Sequence, residues 1–238
     1  MSMETAEGRR EVEEKLRICA GVLEDVKNQT YITVDAGLLG MELQNSDPNC
    51  GLRILYCNIK RICDRLTKGS DPALDKLADI YNTNQPLKPG YCRMLSARLF
   101  FDLLKNRMDN SPLRLGFFGK CNTQGFLECS RGSCPFYTTK SSVDFWLMAC
   151  KEGFGLSKDE ILKNIADFQR YIEKDLDKTT NILSINGDAD PWYPSSITEA
   201  RKGLDVMWVK GASHCYWCGH SDKNVVEGIL EAVNKWLA

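Results

Sequence analysis

Two short apolar runs near the end of the chain constrain its fold more than any other feature of the sequence. Residues 181–185 and 206–209 are rich in β-branched side chains and have the length of buried strands. The roughly twenty residues between them are enough for a crossover connection, and such connections join parallel strands. The pattern therefore predicts a parallel pair of strands.

Two helices complete this C-terminal pattern. Ser195 or Ser196 can cap a short helix that ends before Gly203. Apolar residues at helical spacing over residues 225–236 predict a final amphipathic helix. We therefore expect a βαβα unit over residues 178–238.

The residues before this unit have a mainly helical pattern. Apolar side chains recur at helical spacing in five segments, which are residues 12–26, 53–66, 72–80, 93–108 and 161–172. Ser157 and Glu160 form a capping box in front of the last segment. Residues 121–139 hold three cysteines, two glycines and a proline, which is typical of an irregular loop held by disulfides. These patterns predict a cysteine-rich helical domain over residues 1–177.

The cysteine content indicates an oxidising compartment. The chain has 11 cysteines, more than a cytosolic enzyme usually carries, and the odd number leaves at least one free or bonded to another chain. The sequon Asn28-Gln29-Thr30 also fits secretion, although the first residues contain no apolar segment of a signal peptide. We expect a secreted or lysosomal glycoprotein whose natural N-terminus is missing from this sequence.

Charge and hydropathy exclude two classes of partner. The formal net charge is −1 and no run of basic residues occurs, so the electrostatic footprint of a nucleic-acid-binding protein is absent. The longest apolar stretches are far shorter than the roughly 18 residues that a membrane-spanning helix needs. We therefore expect neither a nucleic-acid partner nor a membrane-embedded chain.

The loops that follow the two predicted strands carry the candidate chemistry. Residues 186–192 read Asn-Gly-Asp-Ala-Asp-Pro-Trp, and residues 211–215 read Gly-Ala-Ser-His-Cys. Because parallel strands end at the same sheet edge, an acidic residue of the first loop can meet His214 of the second. A carboxylate that orients an imidazole is part of the serine-hydrolase triad, whose chain order in α/β hydrolases is Asp then His. A simpler interpretation gives Asp188 a turn-forming role and His214 a hydrogen-bonded loop position.

A zinc site is another interpretation of the second loop. His214, Cys215, Cys218 and His220 place four ligands of the type that zinc prefers within seven residues. A closed tetrahedral site normally draws its ligands from separate segments, so this spacing would strain the backbone. The two cysteines also have the spacing of a redox pair, but no first strand and following helix N-terminus are present to lower a thiol pKa. We expect both cysteines to form structural disulfides.

The C-terminal motifs resemble those of one serine peptidase family, which includes lysosomal prolyl carboxypeptidase, dipeptidyl peptidase II and thymus-specific serine protease. The family pattern is an Asn-Gly-x-x-Asp-Pro-Trp loop followed by Gly-x-x-His, and residues 186–192 and 211–214 match it. By position, the resemblance implies that Asp190 and His214 are the second and third members of a catalytic triad. It also implies an α/β-hydrolase core, of which this chain has the C-terminal portion of the parallel sheet, and a mostly helical insertion, or cap, domain.

More diffuse matches extend the resemblance over nearly the whole chain. They are residues 16–19, residues 62–66, residues 71–78, and Arg114 with Cys121 and Gly125.

Departures from the family pattern affect the nucleophile and the substrate pocket. The family has a Gly-x-Ser-x-Gly elbow ahead of the helical insertion, but no such sequence occurs in this chain. Two Gly-x-Ser triplets, at residues 155–157 and 211–213, continue with Lys-Asp and His-Cys. Gly116 and Thr123 stand where the family usually has Trp and Glu.

These observations together predict the C-terminal fragment of a serine-type exopeptidase that lacks its nucleophile serine and is inactive by itself. The resemblance implies peptide substrates cleaved near a terminus, often beside proline. It implies no cofactor and no metal, and it leaves a homodimer open. The alternative is a non-catalytic, peptidase-derived binding protein that keeps the helical domain as an interaction surface.

Overall fold

The computed structural model describes residues 3–34, 55–108, 111–125, 142–214, 216–219 and 223–238. Contacts within the fold group the chain into two compact units. The first comprises residues 1–38 and 87–172, and the second comprises residues 39–86 and 173–238. The domain boundary expected between residues 177 and 178 stays a prediction.

The described residues form mostly helices and one small sheet. The helices are α1 (Ala6–Lys15), α2 (Val26–Val34), α3 (Ile59–Thr67), α4 (Ala73–Asn84), α5 (Ala97–Lys105), α6 (Pro112–Gly119), α7 (Ser142–Phe154), α8 (Lys158–Leu176), α9 (Tyr216–Gly219) and α10 (Lys223–Leu237). The strands are β1 (Ile182–Gly187) and β2 (Leu204–Val209), and they pair in parallel. None of the described helices combines the length and the hydropathy that crossing a bilayer requires.

Capping explains where several helices begin. The capping box is confirmed: the Ser157 backbone N–H donates to Glu160 Oε2 at 2.8 Å, and the Glu160 N–H donates to Ser157 Oγ at 3.3 Å. The helix expected over residues 93–108 begins only at Ala97, because Ser96 Oγ accepts from the Leu99 N–H and caps it there.

The connection between the strands differs from the predicted helix. Residues 188–203, all described, contain one 3₁₀ turn at Tyr193–Ser195 and no α-helix. The carbonyl oxygen of Ile197 accepts from both Ser184 Oγ and Asn186 Nδ2, each at 2.8 Å. Side chains of β1 therefore bind a carbonyl that would accept a backbone hydrogen bond in a helix. The prediction of a helix between the two strands of the βαβα unit is wrong.

The core of the first unit is aromatic and lies among α5, α6 and α7. Phe100 contacts Tyr31 and Phe117 at ring-centroid distances of 5.2 Å, and Phe117 contacts Trp146 at 5.3 Å. A side chain at Gly153 would come within 2.6 Å of the Leu104 Cβ, so glycine permits the close contact of α5 and α7. Burying such rings stabilises a fold mainly by removing apolar area from water.

Among the described residues of the first unit, two disulfides cross-link distant segments. Cys19 bonds to Cys92 and Cys121 bonds to Cys150, so the cysteine-rich segment that begins at Cys121 is joined to α7. Lys120–Gln124, at the start of this segment, form a π-helical turn. Residues 126–141 lie outside the described residues. Cys63 is free and exposed, which agrees with the odd number of cysteines.

Arg93 reinforces the first of these cross-links. Its guanidinium Nη1 donates to the Leu16 carbonyl at 2.7 Å, and its backbone bonds to Arg17 and Cys19 at 2.8 and 3.0 Å. Arg93 is 8% exposed. A buried cation is tolerated here because hydrogen bonds replace its hydration.

The sequon at residues 28–30 lies in the interior of the first unit. Asn28 is 8% exposed, its Nδ2 donates to the Val22 carbonyl at 2.8 Å, and its Oδ1 accepts from the Ala97 N–H at 2.8 Å. Glycosylation would replace one Nδ2 hydrogen with a bulky sugar, and the burial of Asn28 opposes this in the folded chain.

We therefore expect Asn28 to carry no glycan in the folded protein. Mass spectrometry of the tryptic peptide from protein secreted by mammalian cells will give the unmodified mass. The Thr30→Ala variant, which destroys the sequon without changing Asn28, is expected to have the same electrophoretic mobility. A glycosylated Asn28 peptide from soluble, folded protein would contradict the expectation.

In the second unit, Lys76 joins α4 to the end of α3. The residue is 6% exposed, and its Nζ donates to the carbonyl oxygens of Leu66 and Gly69 at 3.1 and 2.8 Å. The last carbonyls of a helix have no hydrogen-bond partner within the helix. A cation at this end also interacts favourably with the helix dipole.

Replacing this lysine tests the importance of the contact. Lys76→Met is expected to lower the free energy of unfolding by about 1–3 kcal/mol, because two carbonyl groups lose their donor. Lys60→Met is the control, since the Lys60 side chain is 81% exposed and solvent screens its ion pair with Asp64, so little change in stability is expected. Urea unfolding followed by circular dichroism measures both, and equal midpoints for the two variants would contradict the assignment.

Candidate active site

The parallel pairing of β1 with β2 brings two loops to one edge of the sheet. The register runs from Ile182 opposite Leu204 to Gly187 opposite Val209, so both strands end at the same level. Beyond the strands, the Asp188 N–H donates to the Val209 carbonyl at 3.3 Å, and the Ala189 N–H donates to the Ala212 carbonyl at 3.1 Å. The pairing expected from the sequence is therefore confirmed, and main-chain hydrogen bonds continue it into the loops.

Gly187 permits this close approach of the loops. A Cβ atom at residue 187 would overlap the carbonyl oxygen of Ala212. Because Ala212 is 1% exposed, its carbonyl has no free space into which to move. Glycine is therefore required for this packing, not for a special backbone angle.

Asp190 is held in the first loop with both carboxylate oxygens occupied. The residue is 8% exposed. Its Oδ1 accepts from the Trp192 N–H at 2.8 Å, and its Oδ2 lies 3.0 Å from His214 Nδ1. The Tyr193 N–H donates to the Asp190 carbonyl at 3.2 Å, so the Asp-Pro-Trp sequence closes a turn around the carboxylate.

His214 lies in the second loop, beside Asp190 and Trp192. Its side chain is 34% exposed, and its ring centroid is 5.8 Å from that of Trp192. An ionised carboxylate can only accept a hydrogen bond, so the Asp190 contact requires the proton on Nδ1. In the neutral ring this leaves the Nε2 lone pair available, which is the arrangement that a general base needs.

The structure thus brings Asp190 and His214 together and gives Asp188 a different position. The Asp188 carboxylate Oδ1 accepts a hydrogen bond from the Gly211 N–H. This contact links the two loops, so Asp188 joins residues far apart in the chain rather than closing a local turn.

The remaining candidate residues do not complete a site within the described residues. Ser157 belongs to the capping box of α8, and Ser213 is 1% exposed in the second loop. Among the described residues, no group of three or more His, Cys, Asp or Glu side chains is arranged to hold a metal ion. Cys215, His220 and the side chain of Cys218 lie outside the described residues, so the zinc, redox and disulfide interpretations of that segment stay predictions.

Sequence reasoning missed three groups that support the dyad. Each of them involves a main-chain group. They are the Trp192 N–H, the close contact of Gly187 with the Ala212 carbonyl, and the Gly211 N–H that binds Asp188. The Asp-Pro-Trp turn is a local signal for the first of these, because an Asp side chain commonly binds the backbone two residues later. The other two join residues more than twenty positions apart, and no local pattern signals them.

Comparison with known proteins agrees with the C-terminal motifs. The family model of serine carboxypeptidase S28 matches residues 1–233. The thymus-specific serine protease of Mus musculus is 31% identical over 106 residues, which are 43% of this chain and 20% of that protein. The Homo sapiens protein of the same name is 28% identical over 104 residues, with the same shares of 43% and 20%. The aligned part thus spans a fifth of the length of these relatives, and no solved structure gives a significant match.

These matches confirm the resemblance that the motifs indicated. The family model covers nearly the whole chain and includes both loops of the candidate site. The chain therefore belongs to the serine carboxypeptidase S28 family, a family of α/β hydrolases.

Proposed function

We propose that this chain supplies the Asp and His members of the triad of a serine-type exopeptidase. The observation that carries the proposal is the 3.0 Å contact between Asp190 Oδ2 and His214 Nδ1 at the ends of two parallel strands. Membership in a serine carboxypeptidase family supports the reaction class. The nucleophile serine is placed outside this sequence, which contains no Gly-x-Ser-x-Gly elbow.

In the proposed mechanism, His214 moves the proton and Asp190 positions His214. The Nε2 atom takes the proton from the attacking serine hydroxyl and then delivers it to the leaving amine. The charge that appears on the imidazole is stabilised by the Asp190 carboxylate. Because the Trp192 N–H already binds the other carboxylate oxygen, Asp190 is held in place before the proton transfer occurs.

The proposed substrates are peptides cleaved near one terminus, often beside proline. In this proposal the helical part of the chain acts as a cap that limits access to chain ends. The proposed location is an extracellular or lysosomal compartment, which the Cys19–Cys92 and Cys121–Cys150 disulfides support. The competing function is a non-catalytic binding protein, and the two experiments below distinguish it from a peptidase.

The first experiment replaces the members of the dyad in the native protein, tagged at its C-terminus and purified from cells. Asp190→Asn and His214→Ala are each expected to lower kcat for hydrolysis of proline-containing peptides by about 10³-fold or more, because the imidazole loses its orientation or is absent. Initial rates on peptides with a blocked N-terminus and on peptides with a blocked C-terminus also identify the end that is cleaved.

Two matched variants control for structural damage. Asp188→Asn removes the charge of the neighbouring carboxylate but keeps an oxygen that can accept from the Gly211 N–H, and His220→Ala alters the second histidine of the chain. Both are expected to retain most of the activity. An unchanged kcat in Asp190→Asn, or an equal loss in Asp188→Asn, would remove Asp190 from the triad.

The second experiment tests whether these 238 residues act alone. The pure recombinant chain is expected to hydrolyse no peptide and to resist a fluorophosphonate probe, because the reactive serine lies outside it. The native protein, captured with an antibody to α10, is expected to react with the same probe.

Labelling of the recombinant chain that disappears in His214→Ala would overturn the inactive-fragment part of this proposal. If the captured native protein is also unlabelled, the peptidase assignment fails and the binding-protein alternative replaces it.

A further inference from the structure

A half-open cavity of about 600 Å³ lies in the first unit, at the end of α5 beside α6 and the end of α7. Its volume is within the roughly 300–1,000 Å³ that small-molecule sites occupy in proteins. The lining combines three basic side chains, one acidic side chain and two phenylalanines, which are Lys105, Arg107, Arg114, Glu152, Phe118 and Phe154.

The charge of this cavity is positive. Lys105 Nζ lies 3.1 Å from Glu152 Oε2, so the one lining carboxylate is already paired. The hydrogen bond from Lys105 is the main cause that holds the pKa of Glu152 below its usual range. The nearby charges of Lys27 and Lys151 add smaller effects in the same direction. Among the described residues, no acidic side chain forms an ion pair with Arg107 or Arg114. Within the part of the chain that the structure describes, these two lining cations therefore have no counter-charge.

Arg114 is fixed in position with donors to spare. Its Nε donates to the Leu104 carbonyl at 3.0 Å, and its guanidinium carbon lies 5.5 Å from the ring centroid of Phe154. The bond to Leu104 uses one of the five guanidinium N–H groups and leaves both Nη nitrogens for a ligand. A guanidinium held in this way loses little entropy when it binds a carboxylate through two parallel hydrogen bonds.

The aromatic side chains supply an apolar wall next to these cations. Phe118 and Phe154 meet edge to face with ring centroids 5.3 Å apart, and Phe118 remains 43% exposed. The exposed face of Phe118 offers an apolar surface to a ligand. A wall of this kind favours an aromatic or aliphatic body over a fully hydrated ion.

We propose that this cavity binds a small organic carboxylate with an aromatic or aliphatic body, its carboxylate on Arg114 and Arg107 and its body against Phe118. This inference goes beyond the proposed peptidase function and does not depend on it. The cavity is described entirely within the first unit, whereas Asp190 and His214 belong to the second.

Isothermal titration calorimetry with the complete chain tests the proposal, with 3-phenylpropionate as the probe. We expect saturable binding that is at least tenfold tighter than binding of 3-phenylpropanol, which has the same body without the charge. Inorganic phosphate is expected to bind at least tenfold more weakly than 3-phenylpropionate, because it cannot use the apolar wall. Arg114→Gln is expected to weaken binding of 3-phenylpropionate at least tenfold, and Arg107→Gln several-fold.

The controls separate a binding role from a structural one. Arg107 is exposed, so Arg107→Gln keeps the test valid if loss of the Leu104 contact unfolds Arg114→Gln. Arg98 is an exposed arginine of α5 that does not line the cavity, so Arg98→Gln should leave binding unchanged. The proposal would be overturned if 3-phenylpropanol or phosphate bound as tightly as 3-phenylpropionate. It would also be overturned if Arg98→Gln weakened binding as much as Arg114→Gln, or if 3-phenylpropionate showed no saturable binding up to about 10 mM.

Discussion

The candidate site depends on the parallel register of β1 and β2. Parallel strands end at one edge of a sheet, so the loops after Gly187 and Val209 start side by side. The absence of a side chain at Gly187 lets the loops pack closely, and backbone hydrogen bonds continue the pairing to Ala212. The distance between Asp190 and His214 is therefore set mainly by the main chain, and the two side chains need only adopt compatible rotamers.

The first unit, which is helical, relies on a different kind of constraint. Its helices α1, α2, α5 and α6 are eight to ten residues long, which is too short for stability in isolation. Aromatic packing, disulfides and buried polar side chains hold them together instead. Glu13 shows the pattern: the residue is 6% exposed, and its carboxylate accepts from the N–H groups of Gly21 and Leu23 at 3.0 and 2.7 Å. Groups of this kind fix the connections between short helices, where local propensity alone is weak.

Local patterns in the sequence predicted the features whose causes are themselves local. Short runs of apolar, β-branched residues located both strands, the Ser157–Glu160 spacing located the start of α8, and the motifs containing Asp190 and His214 predicted that these two side chains meet. The patterns failed where distant groups decide the conformation. Ile197 is not helical because its carbonyl binds Ser184 and Asn186 on β1, which no window around Ile197 reveals. Arg93 and its neighbours leave the expected helix because they pair with residues 16–19.

The Cys19–Cys92 and Cys121–Cys150 disulfides also affect how damage to this chain will be detected. Cys19 and Cys92 are 73 positions apart, and Cys121 and Cys150 are 29 positions apart. A protease that cuts once between either pair leaves two fragments that are still covalently joined. Such a nicked molecule keeps the full mass on a gel run without reducing agent, and it separates into fragments only after reduction. The gel run with reducing agent therefore reveals the nick, whereas the gel run without it does not.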